Sequence, residues 1–209
     1  MKKIRNKKLT QSSKQWLIRQ MSDPYVAKAK QDGYRSRAAY KLIEIQDKFA
    51  IFDKNSVVLD LGAAPGGWSQ VVSKIAKKVV AIDLLDMLPI QNVEFIKGNF
   101  TDEDNMKKLS ELLYGAKADV ILSDMAPNTC GVQKVDHLRI INLLETVFDF
   151  SKDVLNKNGS IVAKVFQGGA ENELLSQMKQ YFTNIKHFKP ISSRKESSEI
   201  YLVAMGFKF

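Results

Sequence analysis

Short apolar runs alternate along this chain with longer stretches whose apolar positions recur every three or four residues. Residues 57–61, 77–83, 93–96, 118–123 and 160–167 read as strands, and 68–75, 102–114, 135–156 and 171–182 as helices. That alternation predicts a parallel sheet flanked by helices. The rhythm breaks near the end, where 185–188 and 199–207 are joined by a polar, Pro-started linker without a helical period. The two read as strands joined directly, forming a hairpin at the sheet edge. The expected architecture is one α/β domain over 31–209, a mostly parallel seven-stranded sheet with one antiparallel edge strand and helices on both faces.

Ahead of the first strand, 15–30 reads as a helix interrupted by Pro24, and a second helix opens within 34–42 with Ser36 as its N-cap. Ala38, Leu42, Ile45 and Phe49 give it a buried stripe, while Arg35, Arg37 and Lys41 crowd cations around its first turn and a half. The helix dipole disfavours cations there, so they are either a solvated face or contacts to phosphate.

The strand at 57–61 runs straight into Gly62-Ala63-Ala64-Pro65-Gly66-Gly67-Trp68. Such a turn into a helix brings backbone N–H groups up to a ligand. Its spacing, Gly-x-x-x-Gly-Gly, is neither the Gly-x-Gly-x-x-Gly of dinucleotide sites nor a P-loop. Asp60 lies inside the strand, and Asp83 follows 23 residues later at the tip of the next one. In Rossmann-like folds an acid in that place hydrogen-bonds a ribose diol. The combination points to a nucleoside-bearing cofactor. On their own, Asp60 could equally brace the turn and Asp83 cap a helix.

Composition narrows the partners. The 209 residues are 44% hydrophobic and 26% charged, as in an ordinary globular domain, and carry a formal charge of +9, which favours a polyanion. Residues 1–20 hold seven Lys or Arg and no acid. We read 1–30 as a basic N-terminal extension whose arm, with Lys7 and Lys8, touches RNA; a solvated tail and a transit peptide are the competing readings. The single Cys130, and the absence of both a membrane-length apolar run and Cys/His clusters at zinc spacing, point to a cytoplasmic protein without a metal. No heptad appears, so a monomer is expected.

Lys164 is the least ordinary residue. It lies inside Ser160-Ile161-Val162-Ala163-Lys164-Val165-Phe166, an apolar run expected to be buried, and a buried lysine needs a partner. Asp124, ending the apolar run 118–123, would lie beside it, and Glu199, opening the last strand, could join them. They form either a structural ion pair or a site.

The run Asp60-Leu-Gly-Ala-Ala-Pro-Gly-Gly-Trp68, with Tyr34-Arg35-Ser36-Arg37-Ala38, Ser123-Asp124-Met125-Ala126-Pro127-Asn128, Lys164-Val165-Phe166-Gln167-Gly168 and Ser192-Ser193-Arg194 through Glu199, resembles the FtsJ-type ribosomal RNA large-subunit methyltransferases. The resemblance covers 16–206. It implies a Rossmann-like methyltransferase fold, S-adenosylmethionine as cofactor, and methylation of a ribose 2′-hydroxyl, at a uridine of large-subunit ribosomal RNA in the assembled subunit. Carried over by position, it implies a catalytic tetrad of Lys41, Asp124, Lys164 and Glu199. It implies cofactor contacts at Gly66, Trp68, Asp83, position 99 and Asp124, to which the turn itself adds Asp60, Gly62 and Pro65. Position 99 is Asn where the family commonly has Asp; Asn99 can still hydrogen-bond an adenine but brings no charge.

Lys164 would then take the proton of the 2′-hydroxyl, with Asp124 holding its amine and Lys41 and Glu199 orienting the ribose. Arg35, Arg37, Arg194 and Lys195 would meet phosphates. Two other classes remain: an RNA-binding assembly factor without turnover, against which a complete tetrad argues, and an NAD-linked oxidoreductase, against which the glycine spacing argues.

Overall fold

A computed structural model describes residues 17–18, 20–127, 130–167 and 172–209. The elements are α1 (Pro24–Gln31), α2 (Ala38–Phe49), β1 (Val57–Leu61), α3 (Gly67–Val72), β2 (Lys78–Asp83), β3 (Val93–Lys97), α4 (Glu103–Leu112), β4 (Ala118–Ser123), α5 (Gln133–Val154), β5 (Leu155–Phe166), α6 (Asn172–Tyr181), β6 (Phe182–Phe188) and β7 (Glu199–Phe207). The strands form one seven-stranded sheet in the order β3-β2-β1-β4-β5-β7-β6. From β3 through β5 all pairings are parallel; β7 runs antiparallel to both neighbours. The hairpin at the sheet edge is as expected, but its reversed strand lies second from the edge, with β6 outermost.

Parallel strands covered on both faces should be predominantly apolar, and β1, β2, β4 and the second half of β5 are, with Asp60 and Lys164 as buried exceptions. Leu59, Leu61, Val80, Ile82, Ile121 and Ile161 pack beneath residues of α4, α5 and α6 such as Leu109, Val147 and Met178. Val58, Val79, Val120, Val162 and Val203 face the other way, onto Leu42 and Ile45 of α2 and Trp68 and Val72 of α3. Burying each such side chain stabilises the fold by roughly 1.5–3 kcal/mol.

Two local expectations shift. Helix α2 has Arg37, not Ser36, at its N-cap and no side-chain cap bond; the Ser36 carbonyl accepts from Ala39 N–H at 3.3 Å, while its buried hydroxyl has no partner. Strand β5 begins at Leu155, ahead of the expected 160, and Asn158, at φ 67°, is a kink within it. The register with β4 slips there, from Ala118 opposite Leu155 to Val120 opposite Ser160. Within the expected extension, α1 is fastened to α2: Tyr25 and Tyr40 rings lie 5.4 Å apart and the Tyr40 hydroxyl donates to Asp32 at 2.7 Å. No helix among the described residues is long and apolar enough to cross a membrane.

Candidate functional site

Strand register brings the four tetrad residues together. Lys164 on β5 lies directly opposite Tyr201 on β7, so both side chains project from one face, and Glu199, two residues before Tyr201, joins them. Helix α2 covers that face and contributes Lys41, one helical turn before the buried Ile45. Asp124 follows the last residue of β4, whose Ser123 pairs with Ala163.

The contacts form one chain. Lys164 Nζ lies 2.9 Å from Asp124 Oδ1 and donates to the Asp124 carbonyl at 2.6 Å. The Tyr201 hydroxyl donates to that same Oδ1 at 2.7 Å and accepts from Lys41 Nζ at 3.1 Å, and Lys41 Nζ reaches Glu199 Oε2 at 3.3 Å. Lys41 and Lys164 are only 9% and 8% exposed, so the sheet face supplies the partners that buried cations require. Burial alone would raise the Asp124 carboxyl, but Lys164, Lys41 and the hydrogen bonds from Lys164 and Tyr201 outweigh it and hold its pKa below the ordinary value. Burial, then the Asp124 carboxylate, push the Tyr201 phenol well above its ordinary value, so it stays protonated and can only donate to Asp124. Tyr201 was missed in the sequence, although an aromatic two residues beyond an acid on a strand shares its face.

On the other side of Asp124 lies a cavity of about 570 Å³ at the carboxyl ends of β1, β2 and β4. Gly62, Asp83, Asn99, Thr101, Asp124, and Arg139, Asn142 and Thr146 from α5 line it. Gly62 sits at φ +79°, where a Cβ would meet Met125 Cγ at 2.5 Å, so only glycine lets the turn pass beneath the loop after β4. Asp83 accepts from Ala64 N–H and Leu85 N–H, each at 2.8 Å. Asn99 Oδ1 accepts from Thr101 N–H at 3.3 Å and its amide donates to Asp102 at 3.0 Å.

Asp60, Pro65, Gly66 and Trp68 are not among the lining residues. Gly66, at φ +105°, is the N-cap of α3. Trp68 is buried, donates its indole N–H to the Ala38 carbonyl at 2.8 Å and packs on Tyr201, with ring centroids 5.5 Å apart. Asp60 is fully buried; its Oδ2 accepts the Ser69 hydroxyl at 2.6 Å and its Oδ1 has no partner. Burial pushes its carboxyl up to about 7 against the opposing Ser69 bond.

The expected phosphate contacts divide. Lys7 and Lys8 lie outside the described residues, as do Asn128 and Gly168 of the motifs. Arg35 donates to the carbonyls of Leu88 at 2.6 Å, Pro89 at 2.9 Å and Pro65 at 3.3 Å, pinning the loop after β2 to the glycine turn. Arg37 and Arg194 share the carboxylate of Asp23. Both also line a second cavity of about 380 Å³ with Lys41, Glu196 and Glu199, on the tetrad's side away from the first. Lys195 is exposed.

A family model described as FtsJ-like methyltransferase matches residues 34–207. Ribosomal RNA large subunit methyltransferase E of Rickettsia bellii is 54% identical over 211 residues, covering 97% of this chain and 92% of that protein. The protein of the same name from Granulibacter bethesdensis is 54% identical over 203 residues, covering 97% and 88%. Among solved structures, a putative ribosomal RNA methyltransferase from Plasmodium falciparum superposes with a TM-score of 0.74 at 36% identity, covering 83% of this chain and 98% of its own. A putative methyltransferase from Streptococcus mutans, with a TM-score of 0.51 at 15% identity and covering 82% and 96%, shares the fold alone.

Proposed function

The chain belongs to the FtsJ-like methyltransferase family, and on that premise we propose that it transfers the methyl group of S-adenosylmethionine to the 2′-hydroxyl of a ribose in large-subunit ribosomal RNA, at a uridine presented in the assembled subunit. The names of its relatives support the RNA class. The observation that carries the reading is Lys164, fixed by both the carboxylate and the carbonyl of Asp124 where the larger cavity meets the groove lined by Lys41 and Glu199.

The residues around the larger cavity fit this cofactor. Its volume suits a nucleoside carrying an amino-acid arm. Asp83 at the tip of β2 would take the ribose diol, Asn99 the adenine as both donor and acceptor, and Gly62 lets backbone approach the ligand closely. Asp60, Pro65, Gly66 and Trp68 would act one layer behind, shaping the turn. When bound, the cofactor supplies an electrophilic methyl on a sulfonium.

As the ribose oxygen is methylated, its hydroxyl proton would pass to Lys164, whose amine must be neutral to accept it. Asp124 aims the amine, and Lys41 and Glu199 hold the ribose. Phosphates would be met by Lys7 and Lys8 of the arm, by Lys195, by Arg37 and Arg194 at the groove and by Arg35 at the glycine turn, so RNA affinity should fall steeply with salt. Work on ribosomes would place it in the cytoplasm, and a monomer is its proposed working form. The decisive experiment incubates large subunits from cells lacking the protein with the protein and S-adenosylmethionine, then maps methylation. A new 2′-O-methyl ribose is expected; a methyl on a base, or none, overturns the proposal.

A further inference from the structure

The N-cap of α1 lines neither the larger cavity nor the groove beside the tetrad, yet it is wired to α2, which carries Lys41, and to the linker that leads into Glu199. Asp23 is 9% exposed, and its two oxygens have separate tasks. Oδ1 accepts from Tyr25 N–H at 3.0 Å and caps α1, while Oδ2 takes Arg37 at the N-cap of α2 and Arg194 Nε at 3.2 Å. The second guanidinium nitrogen of Arg37 donates to the Ser192 carbonyl. Farther along α2, Glu44 accepts from the backbone N–H of Ile191 and, at 2.9 Å, of Ser192. Lys189 gathers the Lys195 and Ser197 carbonyls at 3.2 and 2.7 Å. The linker 189–198 is thus tied to α2 at two points and to α1 through Asp23, and it leads directly into Glu199, whose partner Lys41 lies on α2.

We propose that Asp23 is a positioning residue for methyl transfer: through Arg37 and Arg194 it fixes the β6–β7 linker against α2 and so sets the Lys41–Glu199 half of the tetrad. This rests on the methyltransferase reading above. The aromatic contacts of Tyr25 and the Tyr40–Asp32 bond hold α1 in place without the carboxylate's charge. The charge instead keeps two guanidiniums together. Burial and then the Arg194 charge already lower the pKa of Arg37. Without Asp23 the two cations repel, and the linker is the less constrained partner.

Asp23→Asn keeps the capping oxygen and removes the charge. Its kcat is expected to fall about 10- to 100-fold, the scale of a small misplacement in a reacting site, with S-adenosylmethionine affinity unchanged. Asp23→Glu, which keeps the charge, should recover most of the rate. The double variant Asp23→Asn/Arg194→Gln should be no slower than the worse single variant, because both act through one contact. Unchanged kcat in Asp23→Asn, or losses that multiply in the double variant, overturn the proposal. Hydrogen exchange tests the same coupling without turnover: the Ile191 and Ser192 amides should exchange about tenfold faster in Asp23→Asn, while Gly62 and Ala63, bonded to the Ile82 carbonyl, stay as they were. Equal exchange at Ile191 and Ser192 refutes the coupling whether or not the chain methylates RNA. A wild-type protein that transfers no methyl group refutes the earlier reading instead.

Discussion

The two halves of the site are built on opposite plans. The half around the larger cavity is shaped by backbone: a strand end, a glycine turn under Met125 and the tips of β2 and β4 enclose it, and Asp83, Asp124 and Arg139 are the charged residues of its lining. The other half is almost entirely side chain, with two lysines, two acids and a tyrosine from α2, β5, β7 and the end of β4 meeting on one sheet face. Backbone can be shaped by local sequence, whereas that charge cluster exists only once distant strands have paired. Substitutions in one half should therefore leave the other intact.

The largest effect should come from the side-chain half. Lys164→Ala removes the proposed base and leaves the cavity lining untouched; methyl transfer should fall at least about 10³-fold, with S-adenosylmethionine binding by calorimetry nearly unchanged. Turnover near that of the wild type would remove Lys164 from the chemistry. The converse cut is Gly62→Ala, which forces a side chain into positive φ and against Met125. Cofactor affinity should drop about 10- to 100-fold, from roughly 1–3 kcal/mol of backbone strain. Calorimetry showing wild-type affinity would mean that the turn does not cradle the ligand.

This division also explains what the sequence disclosed. Apolar runs revealed at least part of every strand of the sheet, since most are short and bounded by turn residues, but the first residues of the 12-residue β5 were missed, and the hairpin was legible from its non-helical linker. The position of β7 was not, because nothing local states which strand enters the sheet next to β5. Lys164 stood out because an amine in an apolar run contradicts its surroundings, and that contradiction demanded Asp124. Tyr201 passed unnoticed because a tyrosine in a strand is ordinary; only its place opposite Lys164 gives it a partner. Arg37 and Arg194 looked like free cations because Asp23, which holds both, lies 14 and 171 residues away from them.

A smaller change tests whether the side-chain half acts as a unit. Tyr201→Phe removes the hydroxyl linking Asp124 to Lys41 but keeps the ring against Trp68. Leaving two charged partners each short of one bond costs about 1–3 kcal/mol, so kcat should fall about tenfold or somewhat more, with cofactor affinity retained. If Tyr201→Phe on top of Lys41→Ala costs no further activity, the hydroxyl works through Lys41; an undiminished loss means that it acts on Asp124 alone.

The smallest effect on turnover is expected behind the glycine turn, at Asp60, whose titration is read in stability instead. Its carboxyl is pushed up to about 7, whereas an unfolded aspartate titrates near 3.9. Between those values the folded chain holds a proton that the unfolded chain has released. Asp60 therefore lowers stability progressively as pH rises from about 4 to about 7, after which its contribution is constant. Asp60→Asn keeps an acceptor for the Ser69 hydroxyl and cannot ionise, so its stability relative to the wild type should improve by a few kcal/mol across that window and level off above it. Denaturant melts at pH 4.5, 6 and 8 on the ligand-free protein measure the difference directly, and other titrating groups cancel in it. A difference that is flat with pH would mean that Asp60 is ionised in the folded chain throughout, and that its unpartnered oxygen is compensated by something other than a proton.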